Sequence, residues 1–267
     1  MPTTYTHYLF GKLVYKKLPA DLKKCIRENP VAYRIGLHGP DILFYYRPFS
    51  KNRVNGLGSA MHREIAAPFF DRQQERVTED AETASYVFGF ICHFMLDSKC
   101  HPYIGAYMKE TGAAHDEIET DLDRMLMEKT GKDPYSYRPA AFLKVLRKNQ
   151  GKAERLMEKI AEVIGQVSRE DIRRSLKGMA FYTGVMVCRC EVKRRLILGV
   201  LKAVGAYDSM QGHIMRKKRP KRCLRSTAVL EEIFEETISE TAEMIADYWE
   251  KAKKKERVGE RFYRNYE

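Results

Sequence analysis

The chain has 267 residues, of which 44% are hydrophobic, and this length and composition allow a substantial buried core. They exclude a disordered polymer. Basic residues outnumber acidic ones by 48 to 36, but residues 1–120 contain 15 basic and 14 acidic side chains, so nearly all of the surplus lies in the remainder. Such a surplus can attract phosphates, anionic lipids or nucleic acid, or can keep a helical surface solvated.

The chain has no recognisable targeting signal. Its first twenty residues lack the basic leader, apolar stretch and cleavage site of a secretory peptide. The most apolar stretches, residues 86–96 and 196–207, are shorter than the roughly 20 residues needed to cross a bilayer. Six cysteines without CxxC spacing are typical of free thiols in a reducing compartment. We therefore expect a cytoplasmic protein without a transmembrane segment, for which a peripheral place at a membrane stays open.

Apolar residues recur mainly at three- and four-residue spacing, which predicts an all-α fold. We expect a single multi-helical domain over residues 1–267, with the functional side chains in residues 1–120 and a basic helical remainder in 121–267. A Ser-Arg-Glu-Asp sequence at Ser168 is a signal for a helix N-terminus, and the apolar segment 39–58 is predicted to be an ordered loop. The predicted helices are 3–17, 19–28, 30–37, 59–77, 79–108, 113–129, 139–149, 152–166, 168–206 and 225–256.

The strongest basic run is RKKRPKRCLR, from Arg216 to Arg225. Its position predicts a connection between the long helix 168–206 and the last helix. Two interpretations of the run stay open, a site for phosphate-bearing surfaces and a solvated loop between helices.

Six of the seven histidines lie at or before residue 115. His93, Asp97 and His101 stand at i, i+4 and i+8, so a helix places them along one side with about 40° of drift per step. His115 and Glu119 repeat the i, i+4 spacing on the next predicted helix. One such pair is usually a packed or surface histidine, but two helices with five nitrogen and oxygen ligands indicate a metal site.

Further candidate ligands lie upstream. These are His7 on the N-terminal helix, Asp41 directly after a Gly-Pro turn, and His62 at the start of a helix. His38 is either a ligand or a residue that orients Asp41 through a hydrogen bond. A set of imidazoles and carboxylates without thiolates suits zinc in an open, catalytic site better than a structural cysteine site.

In their order along the chain, these motifs resemble the zinc-dependent phospholipase C family, which is related to the S1/P1 nucleases. The resemblance rests on the His of TYTHYLFG, the Asp of GLHGPDI, the His of MHREI, the HxxxD of HFMLD with a further His, and the HxxxE of HDEIE. It covers about the first 120 residues. It implies a helical domain of the phospholipase C and P1 nuclease type with about two to three zinc ions.

The resemblance also implies a ligand set for each of three zinc sites. The first site is assigned Asp41, His62, His93 and Asp97. The second is assigned His101, His115 and Glu119. The third combines His7 and Asp97 with the amine and carbonyl of the N-terminal residue, so that Asp97 bridges two metals. The chain begins Met-Pro, and removal of Met1 would make Pro2 the amine ligand.

Zinc ions in such a centre clamp a phosphodiester and lower the pKa of a bound water toward about 7. The resemblance implies that Asp41 also accepts a proton from the attacking water. We therefore expect a zinc-dependent phosphodiester hydrolase of phospholipase C type that acts on a phospholipid headgroup or another phosphodiester, with an anionic membrane surface as a further partner. The alternatives are an S1/P1-like nuclease, with nucleic acid the less favoured substrate, and a non-catalytic, metal-stabilised helical module that binds anionic surfaces.

Overall fold

The computed structural model describes residues 4–267, apart from the side chains of residues 208 and 209, and it confirms the all-α prediction because this range contains helices and no strand. No helix in the described part of the chain is long and apolar enough to cross a membrane. Short 3₁₀ segments include 39–45 and 139–147. The α-helices are α1 (Thr4–Lys17), α2 (Ala20–Glu28), α3 (Pro30–Gly36), α4 (Arg53–Arg63), α5 (Ala67–Glu79), α6 (Ala81–Thr111), α7 (His115–Lys129), α8 (Gln150–Ile164), α9 (Arg169–Met186), α10 (Glu191–Ala203), α11 (Tyr207–Met210) and α12 (Leu224–Lys254).

Helix α6 runs through the core of the protein. It begins where the side chain of Asp80 accepts a hydrogen bond from the backbone N–H of Thr83 at 2.8 Å, and it ends at Gly112, whose left-handed backbone (φ 66°) terminates the helix. Every residue from Thr83 to Ser98 is buried, so this part of the helix is covered on all sides. The polar ligand candidates on α6 therefore lie inside the protein.

Helices α3 and α6 cross with their backbones in direct contact. A Cβ atom at Gly36 would lie 2.0 Å from the carbonyl oxygen of Tyr86, and a Cβ at Gly89 would lie 2.2 Å from the carbonyl oxygen of Tyr33. Only glycine fits at both positions. The crossing brings the 3₁₀ segment 39–45, which follows α3, against α6.

The predicted helix 59–77 is wrong, because the structure divides this region into two helices. Helix α4 begins earlier than predicted, at Arg53 within the predicted loop, and ends at Arg63. Helix α5 begins at Ala67 after a short non-helical segment. At the break, the backbone N–H of Ala66 donates to the carbonyl of Arg264 at 2.9 Å. The C-terminal segment thus accepts a hydrogen bond from a backbone N–H that has no helical partner once α4 has ended.

The predicted helix 168–206 is likewise two helices. Helix α9 begins as predicted, with Ser168 and Asp171 exchanging side-chain to backbone hydrogen bonds of 3.1 and 3.0 Å. Helix α10 is separate from it, and its Leu201 packs into a small core apart from the main one. The other fully buried members of this small core are Cys188, Met210 and Ile214.

Three arginines of the basic run RKKRPKRCLR pair with α7, which neither interpretation of the sequence included, while Lys217, Lys218 and Lys221 are exposed. Arg219 donates to both carboxylate oxygens of Asp121, at 2.9 and 2.6 Å. Arg216 pairs with Glu117 at 2.5 Å, and Arg222 pairs with the same carboxylate. Because the side chains of Glu117 and Asp121 are only 1% exposed, these three arginines neutralise buried charge on α7.

Candidate metal centre

The eight side chains that the sequence singles out as ligands converge on one region. They come from four helices and one 3₁₀ segment, and seven of them form two groups whose nitrogen and oxygen atoms lie within 4.8 Å of one another. The first group is His7, Asp41, His93 and Asp97, and the second is His101, His115 and Glu119. The eighth side chain, His62, borders the first group.

Asp97 stands at the middle of the centre. Its Oδ2 atom lies 3.1 Å from Nε2 of His93 and 3.9 Å from Nε2 of His101, as the predicted stripe along α6 requires. Its Oδ1 atom lies 3.2 Å from Nε2 of His7 on α1. The two oxygens of one carboxylate thus face different imidazoles.

Asp41 reaches the centre from the tight turn after α3. Gly39 has φ +45°, and a Cβ there would lie 2.2 Å from Cδ2 of His93, so the turn needs glycine both for its backbone and for space. The backbone N–H of Asp41 donates to the carbonyl of His38 at 2.9 Å. Its carboxylate lies 3.1 Å from Nε2 of His62 through Oδ1 and 3.7 Å from Nε2 of His93 through Oδ2.

His62 is oriented by its own helix. Its Nδ1 lies 2.7 Å from the carbonyl oxygen of Gly58, which can only accept, so Nδ1 carries a proton and Nε2 faces the centre. The ring packs against Phe44 and Tyr266, with centroid distances of 5.5 and 5.2 Å. Packing on two sides fixes the imidazole toward Asp41.

The second group joins α6 to α7. Nε2 of His115 lies 2.9 Å from Oε1 of Glu119, and Nε2 of His101 lies 3.7 Å from the same oxygen. The rings of the two histidines meet edge to face with centroids 5.1 Å apart. Glu119 is buried and the His115 side chain is 41% exposed, so this group lies at the open side of the centre.

Buried polar atoms of the first group have no hydrogen-bond partner among the described residues. They include Oδ2 of Asp41, Nδ1 of His7 and both ring nitrogens of His93. Buried polar atoms are normally paired. Among the unpaired ones, Oδ2 of Asp41 and Nε2 of His93 lie 3.7 Å apart, a separation that fits a cation bound between them. The donors are nitrogen and oxygen only, a set that suits zinc in an open site.

The charges of the centre depend on one another. Burial lowers the pKa values of His62 and His101, but the neighbouring carboxylates outweigh it and raise each pKa to about 9. Burial raises the pKa values of Asp97 and Glu119, but the surrounding histidines outweigh it and hold both well below their ordinary range. In the absence of a metal, protons on the imidazoles therefore balance the buried carboxylates.

Two residues that the sequence singles out, His38 and Pro2, do not belong to either group of candidate ligands in the described part of the chain. His38 belongs to neither group; burial lowers its pKa to about 3, and its Nδ1 has no hydrogen-bond partner among the described residues. Its connection to Asp41 runs through its backbone carbonyl, so an orienting role for its side chain stays a prediction. The N-terminal amine of Pro2 lies outside the described residues.

The C-terminal segment contributes contacts that the sequence did not reveal. Pro102 has no N–H, so it leaves the carbonyl of Ser98 without its helical partner, and the guanidinium of Arg264 donates to that carbonyl. The backbone N–H of Tyr266 donates to the carbonyl of His62 at 3.1 Å. Pro102 was the local signal, but it could not identify the partner.

A cavity of about 210 Å³ opens onto the centre. Phe44 and the exposed Arg63 line it together with ligand candidates from both groups. Phe69 and Phe70, which are near the ligands in sequence, instead pack in the core against Phe90. Arg63 is a functional candidate that the sequence analysis missed, because a single arginine in a helix carries no distinguishing pattern.

The fold and the centre define an all-α protein whose buried imidazoles and carboxylates form two adjoining groups able to hold metal. The family model described as zinc-dependent phospholipase C matches residues 6–173, more than half of the chain, and the chain belongs to that family. No curated protein and no solved structure matches the chain significantly.

Proposed function

We propose that the chain is a zinc-dependent hydrolase of phosphodiester bonds, of phospholipase C type. The observation that carries the proposal is the junction at Asp97, where one buried carboxylate faces His7 through one oxygen and His93 through the other. Membership of the zinc-dependent phospholipase C family supports it.

The proposed centre holds about two to three zinc ions. Its proposed side-chain ligands are His7, Asp41, His62, His93, Asp97, His101, His115 and Glu119. Asp97 is the proposed bridge, since a carboxylate has two oxygens to share. If Met1 is removed, the amine of Pro2 is the proposed additional ligand beside His7.

When bound, zinc polarises a phosphoryl oxygen and lowers the pKa of water, which suits hydrolysis of a phosphate ester near neutral pH. Asp41 is the proposed proton acceptor. Its Oδ1 is held by His62, while its Oδ2 has no hydrogen-bond partner among the described residues and can take up a proton from the attacking water. Asp41 also lines the cavity, where a substrate would be bound.

Two further side chains of the cavity are proposed to bind the substrate. The exposed guanidinium of Arg63 suits a phosphate, because its planar donors match two phosphate oxygens. Phe44 stacks on His62 and offers an apolar edge to the group attached to the phosphate. These contacts favour a small phosphodiester or a lipid headgroup.

The placement of the basic run weakens the argument for nucleic acid as the substrate. Three of its arginines are paired with buried carboxylates of α7, so they are not free to follow a nucleic-acid backbone. An S1/P1-like nuclease is the second candidate function, and the metal-stabilised module without catalysis is the third.

Hydrolysis of a chromogenic phosphodiester by the purified zinc-loaded protein tests the reaction. His93→Ala or Asp97→Asn should lower the rate at least about a hundredfold, because even residues that only support ligands cost 10- to 100-fold. Glu110→Gln, an exposed carboxylate on the same helix, is the matched control and should leave the rate unchanged. Parent-like activity in either ligand variant, with helicity retained, would contradict the proposed centre.

The substrate class needs a second experiment. Mixed phospholipid vesicles and single-stranded DNA are compared with the same enzyme at two salt concentrations. Release of diacylglycerol is expected, whereas release of nucleotides without diacylglycerol would favour the nuclease. Zinc binding without either product, and without cleavage of the chromogenic ester, would favour the non-catalytic module.

A further inference from the structure

Helix α10 has two unlike sides. Leu201 is buried in the small core, whereas Val192, Leu196 and Val200 are 78, 67 and 54% exposed. Val204, directly after the helix, is 61% exposed. These four side chains are four residues apart, so they form one stripe with about 40° of drift per step on the side opposite Leu201. This exposed row of large apolar side chains has no cover in the described structure.

The apolar stripe is flanked by positive charge. Residues 189–207 contain five basic residues and one acidic residue. Arg195 and Lys202 lie on one flank of the helix and are exposed; the ammonium of Lys202 lies over the ring of Tyr207. The one acid, Glu191, pairs with Arg194 at 3.1 Å and lies 3.7 Å from Arg195, so a net positive charge remains beside the stripe. An apolar stripe bordered by arginine and lysine is typical of helices that lie in a membrane interface.

We propose that α10 docks onto the surface of an anionic phospholipid bilayer. The four stripe residues would enter the boundary between headgroups and acyl chains, and Arg195 and Lys202 would contact lipid phosphates. A second copy of the chain is a poorer occupant, because two α10 helices face to face would bring their basic residues together without acids to pair them.

The segment that follows the docking helix contacts an element of the metal centre. The segment that follows α10 packs on the first turn of α7, where a Cβ at Gly212 would lie 2.2 Å from the carboxylate of Asp116. Asp116 is the neighbour of His115 in the second metal group. The segment after α10 therefore connects the docking helix to the turn of α7 that carries His115.

The inference adds a partner to the proposed function, and it differs from a membrane role for the basic run. Arg216, Arg219 and Arg222 are paired with α7, whereas Val192, Leu196 and Val200 of α10 are exposed. Docking itself needs no hydrolysis, so binding and activity can be measured separately.

Co-sedimentation with phosphatidylcholine vesicles, with and without phosphatidylglycerol, tests the docking at low and high salt. The parent should bind the anionic vesicles and be released by salt. Leu196→Ser/Val200→Ser should weaken partitioning at least about tenfold, because two apolar side chains lose their burial. Arg195→Gln/Lys202→Gln should weaken binding and reduce its dependence on salt.

Lys218→Gln/Lys221→Gln, with the same loss of charge in the basic run, is the matched control and should change partitioning less than about threefold. Both positions are exposed. A further readout is Leu196→Trp, whose emission should shift to the blue on anionic vesicles. Circular dichroism and hydrolysis of the soluble phosphodiester should be the same in the docking variants as in the parent.

Three results would overturn the inference. They are a parent that does not bind anionic vesicles, a Leu196→Ser/Val200→Ser variant that binds like the parent, and a parent dimer that this variant dissociates, which would assign the stripe to a second copy. Vesicle binding without cleavage of the soluble phosphodiester would instead contradict the proposed function and leave the docking in place.

Discussion

Asp123 on α7 accepts hydrogen bonds from both the backbone N–H and the hydroxyl of Thr6 on α1, at 2.7 and 2.6 Å. It also accepts from the backbone N–H of Tyr5 at 3.3 Å. A carboxylate from one helix thus caps the N-terminus of another. Because Thr6 precedes His7 and Asp123 lies one turn after Glu119, this cap fixes the two metal groups relative to each other.

We predict that Asp123→Ala lowers the free energy of unfolding by about 1–3 kcal/mol, because buried donors of α1 lose their acceptor. Asp123→Asn should cost less, since the amide oxygen still accepts. Burial raises the pKa of Asp123 to about 6. The contribution of this carboxyl group to the free energy of unfolding is therefore complete below its unfolded pKa and is lost as the pH rises through about 6. Denaturant titrations at pH 5 and 8 measure both effects, and equal losses in the two variants would contradict the cap.

We predict that Gly39→Ala lowers zinc content and destabilises the protein by at least about 1–3 kcal/mol, because alanine at φ +45° is strained and its Cβ would overlap the His93 ring. Gly105→Ala on α6 is the control. A Cβ there meets nothing within 4 Å, and alanine should leave stability unchanged or raise it by up to about 1 kcal/mol. Thermal unfolding and zinc analysis of both variants test this prediction. A Gly39→Ala variant with the stability and zinc content of the parent would contradict it and show that the turn can relax.

We predict that Arg219→Ala destabilises the protein by about 2–4 kcal/mol, because it leaves the buried Asp121 carboxylate without its charged partner. Lys218→Ala, the exposed neighbour in the same run, should change the free energy of unfolding by less than about 0.5 kcal/mol. Denaturant unfolding compares the two. Equal small effects would mean that the basic run is a solvated loop after all.

We predict that zinc affinity rises with pH between 6.5 and 9, because His62 and His101, with pKa values of about 9 in the absence of metal, must release protons to bind it. The same groups give the opposite trend in stability without metal. Their pKa in the folded state exceeds the unfolded value of 6.5. Their contribution to the free energy of unfolding is therefore complete below pH 6.5 and is lost as the pH rises through about 9. Chelator competition and thermal unfolding measure the two trends, and a zinc affinity independent of pH would contradict the ligand assignment.

Where candidate ligands lie on one helix, their spacing alone predicted which of them lie together. His93, Asp97 and His101 share one side of α6 because a regular helix requires it, and the structure places all three at the centre. Spacing along the chain could not predict which residues of different helices contact one another. The contact of His7 with Asp97 depends on the packing of α1 against α6, which no local pattern encodes.

Helix ends were predicted where a cap is local and missed where the partner is distant. Ser168 marks the start of α9 through its own neighbour Asp171. The interruption between α4 and α5 involves a hydrogen bond to Arg264, almost two hundred residues away. The helical spacing of apolar residues continues across the interruption and does not reveal it. The pairing of Arg219 with Asp121 is missed for the same reason, since charges on separate elements reveal their partners only in the folded state.

Zinc analysis of the purified protein, prepared without chelator, tests the proposed centre most directly. We predict about two to three zinc ions per chain in the parent and a loss of at least one in Asp97→Asn, because that carboxylate is the proposed bridge. The exposed-site variant Glu110→Gln should retain the parent content. A parent with almost no zinc, or an Asp97→Asn variant with the full content, would contradict the centre.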